Sequence, residues 1–279
     1  MRLIDQAMRP FHAIQRRADA FVTKPLNDRI DTAFESARAR WLARLDDAIG
    51  RGRDWFLPQA DLTMSALYVL KETLLRSGDR RFAFIDEKIA HYRSTLRDPA
   101  LRLFDNDYDP DAPAYRSLPD IMAVRPYLPT ELLMIEIVWA DVRRDPDIVS
   151  KLGAIEDGGG YGTTHIVVGG RLLLRNGGAR REEVEALLND TVETMRRCND
   201  RTTYAGDLFA ERVLMLQWLG RHDLVRPAWI LRMLKRQQSD GGWRARNVLP
   251  LGQSNQHTTA LVLGTLSEFR KVWQATSHT

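Results

Sequence analysis

Two kinds of helical segment alternate along most of this chain, and the alternation limits the folds open to it. One kind is apolar nearly all round: Pro58 to Leu75, the segment opening at Pro129, Thr163 to Arg175, Asp207 to Leu219, and His257 to Phe269. The other kind is apolar on one face only: Arg80 to Leu96, Glu182 to Arg197, and Leu224 to Gln237. A helix with no polar face belongs inside a fold, and a one-faced helix belongs at its surface. Inner and outer helices that follow one another make helical hairpins, the unit of α-solenoids and, when closed, of toroids. Period-two alternation, the mark of a half-buried strand, is almost absent. An all-α fold built from helical hairpins is expected. Ser77-Gly78, Asn176-Gly177-Gly178 and Gly220 read as helix stops, and Pro129 suits a first helical turn.

Five inner candidates are one short of a six-hairpin ring. Either an N-terminal helix supplies the missing position, or the ring is open or abbreviated. Residues 1–53 read as amphipathic helices that pack on a hairpin domain spanning 54–279. Phe11, Ile14, Ala18 and Phe21 share a face, and Ile30, Phe34, Trp41 and Leu45 continue it after Pro25. Arginines 16, 17, 38, 40 and 44 line the other sides, diluted by Asp19, Asp28, Asp31, Glu35, Asp46 and Asp47. That face is expected to pack on the rest of the chain or on a second copy, with peripheral membrane attachment as the alternative.

With 41 basic and 37 acidic residues the formal charge is +4, and the arginines are interleaved with carboxylates. No nucleic-acid partner is expected from that pattern. The single cysteine, Cys198, excludes an internal disulfide and fits a reducing compartment. The opening Met-Arg-Leu-Ile-Asp-Gln has no secretion-signal core, and the longest apolar run, Leu132 to Ala140, contains Glu136 and is too short to cross a bilayer. A cytoplasmic protein is expected.

The stretch from Met233 to Phe269 reads as outer helix, Gly-Trp turn and inner helix. Gly241 and Gly242 supply backbone freedom past a helix end, and Ser254, Asn255 and Gln256 can satisfy the free N–H groups of the next helix. Its Gln238-Ser239-Asp240-Gly241-Gly242-Trp243 segment resembles the Gln-x-x-Gly-x-Trp repeat of terpenoid cyclases such as squalene-hopene cyclase. The His257-Thr258-Thr259 opening is similar to the inner helices of protein prenyltransferase β subunits. The resemblance implies an α/α toroid over about residues 55–270, complete or abbreviated, with a central cavity for a hydrophobic or isoprenoid-like small molecule.

Each inner segment begins with an ionisable side chain: Asp61, Glu131, His165, Asp207 and His257. If the hairpins close into a ring, these five meet at one end of its cavity. The helix dipole alone accounts for acidic residues at such positions, but not for histidines, which when neutral serve as general bases or metal ligands. Glu211, one turn after Asp207, falls on the same face. Two chemistries use this set. His165, Asp207 and His257 could hold a divalent metal, the one cofactor the residues admit. Alternatively a histidine and a carboxylate act as acid and base. Tyr161, Tyr204, Trp243, Asn255 and Gln256 are the candidate substrate contacts.

In prenyltransferases an Asp, a Cys and a His at inner-helix starts hold zinc, but no cysteine accompanies Asp207. The Asp-x-Asp-Asp proton donor of class II cyclases is missing too. The nearest acidic cluster, Asp105 to Asp111, has other spacing, and Pro110 and Arg116 stand where a calcium loop needs Gly and Glu. Gly158 to Gly162 either cradles an anion at a helix start or repeats the Gly-Gly-Trp turn; it lacks the dinucleotide and P-loop patterns. The reading is a small-molecule enzyme using acid/base or metal-assisted chemistry; the alternative is a non-catalytic ligand-binding or scaffold protein that keeps the fold.

Overall fold

The computed structural model describes residues 25–96, 98–104, 108, 129–139, 146–176, 180–202, 204–245 and 253–275. The Phe11 to Phe21 face, most of the Asp105 to Asp111 cluster and Gly177-Gly178 lie outside them. Among the described residues the secondary structure is helical throughout, with no strand. In chain order the helices are α1 (25–36), α2 (Arg38–Phe56), α3 (Met64–Ser77), α4 (Phe84–Thr95), α5 (Pro129–Val138), α6 (Ile148–Gly153), α7 (Tyr161–Arg175), α8 (Arg181–Arg201), α9 (Asp207–Trp218), α10 (Pro227–Leu234) and α11 (Gln256–Ala275). Short 3₁₀ turns sit at Arg80–Phe82, Pro99–Leu103 and His222–Leu224.

Burial follows the pattern of side chains. Every residue of α9 from Phe209 to Trp218 is buried, and so is every residue of α11 from Thr258 to Phe269. By contrast α8 buries Val184, Leu188, Thr191, Val192, Met195 and Asn199, which share one helical face. Helix α4 buries Ile85, Ile89 and Tyr92 in the same one-faced manner. The expected outer helix from Leu224 to Gln237 differs: it is α10, only Pro227–Leu234, and it buries Ala228, Trp229, Ile230, Leu231 and Met233. Pro227 fixes its first turn, and two tryptophan-sized volumes, Trp229 and Trp243, draw this end of the chain inward.

The chain separates into two compact units, one made of Met1–Pro58 with Met195–Thr279 and the other of Gln59–Thr194. In the first, α11 packs along α9 and α2 and touches α10. The N-terminal helices are thereby tied to the end of the chain: Phe34 stacks on Trp41 and meets Phe269 and Trp273 edge-on. Arg226, ahead of α10, is bonded to Asp28 and to Asp31, the latter at 2.8 Å. In the second unit, α5 and α6 pack on α7, and α3 lies beside α4. Thr63 caps α3 by accepting from Ala66 N, and Gly78 closes it in the left-handed region at φ 69°. Among the described residues no helix is long and apolar enough to cross a membrane.

The glycine-rich loop before α7 is filled by the chain's own anion. Asp157 Oδ2 accepts from Gly162 N at 2.9 Å, and Oδ1 accepts from Thr163 N at 3.0 Å and from Thr163 Oγ1 at 2.9 Å. Desolvation pushes this carboxyl's pKa up, but the hydrogen bonds from Gly162, Thr163 and Gly160 outweigh it and hold it below the usual carboxylate range. A depressed folded-state pKa means that Asp157 contributes stability above its unfolded value of about 3.9 and loses it as pH falls through the lower folded value. Asp157→Ala is therefore expected to cost about 1 kcal/mol at neutral pH, as a lost helix cap does. The deficit should shrink in acid below about pH 4. Urea denaturation of both proteins at the two pH values reads this directly, and an unchanged deficit would contradict it.

Candidate functional site

The site is assembled by the Gly-Trp turn between α10 and α11. Gly241 N donates to Gln238 O at 3.0 Å and Gln238 N to Gly242 O at 2.9 Å, a reversal that places Gly241 at φ 95°. A side chain there would meet both that backbone angle and Arg51 O, 2.5 Å from where its Cβ would sit. Asp240 Oδ1 steadies the turn by accepting from Gly242 N and from Ser254 Oγ. Gln237, the neighbour of the glutamine singled out in the sequence, carries the tie to α2: its Nε2 donates to Ala48 O and Gly241 O, each at 2.8 Å.

Trp243 is 1% exposed, its Nε1 donating to Met233 O at 2.8 Å. Its backbone then joins the start of α11, because Trp243 N donates to Thr259 Oγ1 at 3.0 Å and Asn255 N donates to Trp243 O at 2.9 Å. An indole sealed this way belongs to the packing of the turn. Asn255 in turn caps α11 by accepting from Thr258 N at 2.8 Å, which sets His257 in the first turn of that helix.

Helix α9 is placed against the same turn. Asp207 N donates to Ala245 O at 3.3 Å, two residues past Trp243. Further along, Gln217 Nε2 donates to Thr265 O at 3.2 Å, so α9 and α11 lie alongside with their first turns together. Asp207 Oδ1 accepts from Thr258 Oγ1 at 2.9 Å, while Oδ2 lies 4.0 Å from His257 Nε2. That separation is too long for a direct hydrogen bond. Glu211, one turn along α9, is 3% exposed. One donor atom from each of Asp207, Glu211 and His257 lies within 4.8 Å of the others. His257 Nδ1 is buried without a hydrogen-bond partner among the described residues.

The spacing and chemistry of these groups admit an ion between them. Two carboxylates and an imidazole converge near the starts of two packed helices, with Asp207 and His257 half-buried and Glu211 buried. No protein-family model matches this chain, and neither a curated protein nor a solved structure is detectably similar to it.

The remaining candidates from the sequence each stand in their own unit. His165, Asp61 and Glu131 belong to the Gln59–Thr194 unit. His165 Nδ1 is 2.6 Å from Tyr161 O, one turn earlier on α7. Asp61 is exposed before α3, with Oδ1 3.5 Å from the Tyr92 hydroxyl, and Glu131 is half-buried in the first turn of α5. Tyr161 is 42% exposed. Tyr204 stands two residues before the extended Gly206 that opens α9, with the Arg236 guanidinium 4.9 Å over its ring. Gln256 is half-exposed and Asn255 exposed at the start of α11. Thr258 was not foreseen as a site residue; its hydroxyl orients Asp207, and the only signal for it was its place directly after His257.

Proposed function

We propose that Asp207, Glu211 and His257 form a divalent-metal centre in a small-molecule enzyme. The helical hairpins would form an α/α toroid, complete or abbreviated, with this centre at the mouth of its cavity. The observation that supports this reading is the convergence of three donors within 4.8 Å, from the first turn of α11 and the first two turns of α9. Zinc bound at about 2.0–2.2 Å accepts a set of imidazole and carboxylate donors with one position left for water or substrate. The donors here must close by about an ångström to reach it, a movement that side-chain rotation supplies at half-exposed His257. The Thr258 hydroxyl holds Asp207 as an outer-shell partner of a ligand does.

A metal in that position polarises a carbonyl or phosphoryl oxygen, or turns bound water into a nucleophile at neutral pH. The likeness to prenyltransferase β subunits supports the helix-start positions of Asp207 and His257. Because Cys198 lies on α8 and Glu211 supplies the third donor, the reaction would proceed without a metal-activated thiolate. The substrate is a hydrophobic or isoprenoid-like small molecule taken from the cavity.

Calorimetric titration of chelator-treated protein with zinc and manganese tests this. One equivalent should bind, with affinity at least about 100-fold weaker in Asp207→Ala and in His257→Ala, the loss of a direct ligand exceeding the 10–100-fold cost of an outer-shell change. Zinc at 100 times its Kd should also stabilise the protein by about 2.7 kcal/mol. His165→Ala should bind as the wild type does. Absence of binding by any divalent ion would overturn the metal centre and leave metal-free acid/base chemistry or the scaffold reading in its place.

A further inference from the structure

Helix α1 is held to the rest of its unit by different contacts at its two ends. Near its C-terminal end Phe34 is fully buried among Trp41, Phe269 and Trp273. Over 25–33 the only buried residue is Asn27, and the ties there are polar. Arg226 Nε donates to Asp31 Oδ2 at 2.8 Å and its Nη2 to Asp28 Oδ1. Its Nη1 lies 3.6 Å from Asp200 Oδ1, at the end of α8. Asp31 Oδ1 accepts from Ala228 N at 2.8 Å, in the first turn of α10. Asn27 Oδ1 accepts from Arg232, which also donates to Thr202 O.

Docking this end is opposed by desolvation and favoured by charge. Asn27 is fully buried, and its Nδ2 has no hydrogen-bond partner among the described residues, a cost that water would relieve. Burial, then the like charge of Arg226, lowers the pKa of Arg232. Desolvation also draws the Arg226 pKa down, but the hydrogen bonds to Asp31 and Asp28 and the charges of Asp31 and Asp200 outweigh it and raise it. Asp28 is exposed and Asp31 and Arg226 are half-buried, so mobile ions reach these pairs and weaken them. A helix as short as 25–36 is marginal in water once its tertiary contacts are gone. At Ala37, with φ −120° and ψ 29°, the backbone leaves helical geometry and no side chain caps α2, which makes a joint between the two helices.

We propose that α1 is a salt-released strap: Arg226 latches it through Asp28 and Asp31, Phe34 and Ala37 form its pivot, and it undocks while the rest of the unit stays folded. Opening uncovers Arg226, Arg232 and the first turn of α10, which loses the Asp31 acceptor at Ala228 N. Arg226 is not stranded by it, because Asp200 remains beside it. The device does not depend on the metal centre.

Native-state hydrogen exchange of the full chain, read by mass spectrometry, tests this at about 0.01 and about 1 M sodium chloride, between which the Debye length falls from about 30 to about 3 Å. Amides of 29–36 should exchange at least about tenfold faster at high salt, while those of α2, α9 and α11 keep their rates. In Arg226→Gln the α1 amides should exchange fast at both salt concentrations, with the protection of α11 in the same sample showing that the unit is still folded. Asp28→Asn, which removes one exposed carboxylate and leaves the Asp31 contact with α10 in place, should speed α1 by a smaller factor. Protection of α1 equal to that of α2 at both salt concentrations, a rise in exchange shared by all the helices, or an Arg226→Gln protein with wild-type α1 exchange would overturn the proposal.

Discussion

Trp243→Ala is expected to destabilise the protein by about 3–5 kcal/mol, the range for removing a buried large aromatic side chain. The indole is among the largest fully buried side chains of the described residues, and Gly52 of α2 is packed so closely against it that a Cβ there would lie 2.9 Å from the ring. Truncation therefore opens a cavity bounded by α2, α10 and α11 and strips Met233 O of its indole donor. Domains are stable by only about 5–15 kcal/mol, so a loss of this size moves the unfolding transition far to lower urea. Tyr161→Ala is the matching control: with its ring 42% exposed, its cost should stay within about 0.5 kcal/mol. The larger loss also reaches the site, because the turn that Trp243 seals holds both the Asn255 cap and the Ala245 carbonyl that receives Asp207 N. A Trp243→Ala protein within about 1 kcal/mol of wild type would show that the turn is not the organising contact claimed for it.

Gly162→Ala should be comparably damaging, about 3 kcal/mol or more, for the opposite reason. A Cβ at this position would fall 1.8 Å from Ile155 O and 3.0 Å from the Asp157 carboxyl carbon. The first of these is a backbone atom and cannot rotate away, so the loop must open and the Asp157 cap on α7 must loosen with it. Gly50 in α2 offers the contrast, since nothing lies within 4 Å of its added Cβ. Gly50→Ala should stabilise the protein by about 0.5–1 kcal/mol through helix propensity alone. Chemical denaturation of the two variants side by side measures both, and a Gly162→Ala protein as stable as the wild type would refute the packing described for the loop.

The helices were legible because their burial pattern is written in side-chain type. The run of buried residues in α9 and α11 is apolar or uncharged apart from Glu211, Arg212 and Glu268, whereas α8 carries Glu, Asp and Arg along most of its length. Helix α11 runs past Phe269 to Ala275, and there Trp273 packs on Phe34, a contact 239 residues away in sequence that no local pattern reveals. The pairing of Asp207 with His257 was legible as the starts of two inner helices, and Glu211 followed from its i+4 spacing. Which helix starts share a unit was not: His165, Asp61 and Glu131 have the same local signature, but they are in the Gln59–Thr194 unit. The two glycine turns also look alike in sequence, each following an aspartate. They diverge because Trp243 is pulled beneath α2, whereas Asp157 turns its carboxylate into the α7 N-terminus and leaves Tyr161 outside. Helical spacing encodes neighbours one turn apart; it says nothing of which carbonyl or cavity a side chain will find across the fold.

The zinc-edge anomalous signal from crystals grown with zinc tests the central assignment most directly. The account predicts a single strong peak between α9 and α11, about 2.0–2.2 Å from donor atoms of Asp207, Glu211 and His257. A map with no peak among those three side chains, or with the zinc held by other residues such as His165, would contradict it.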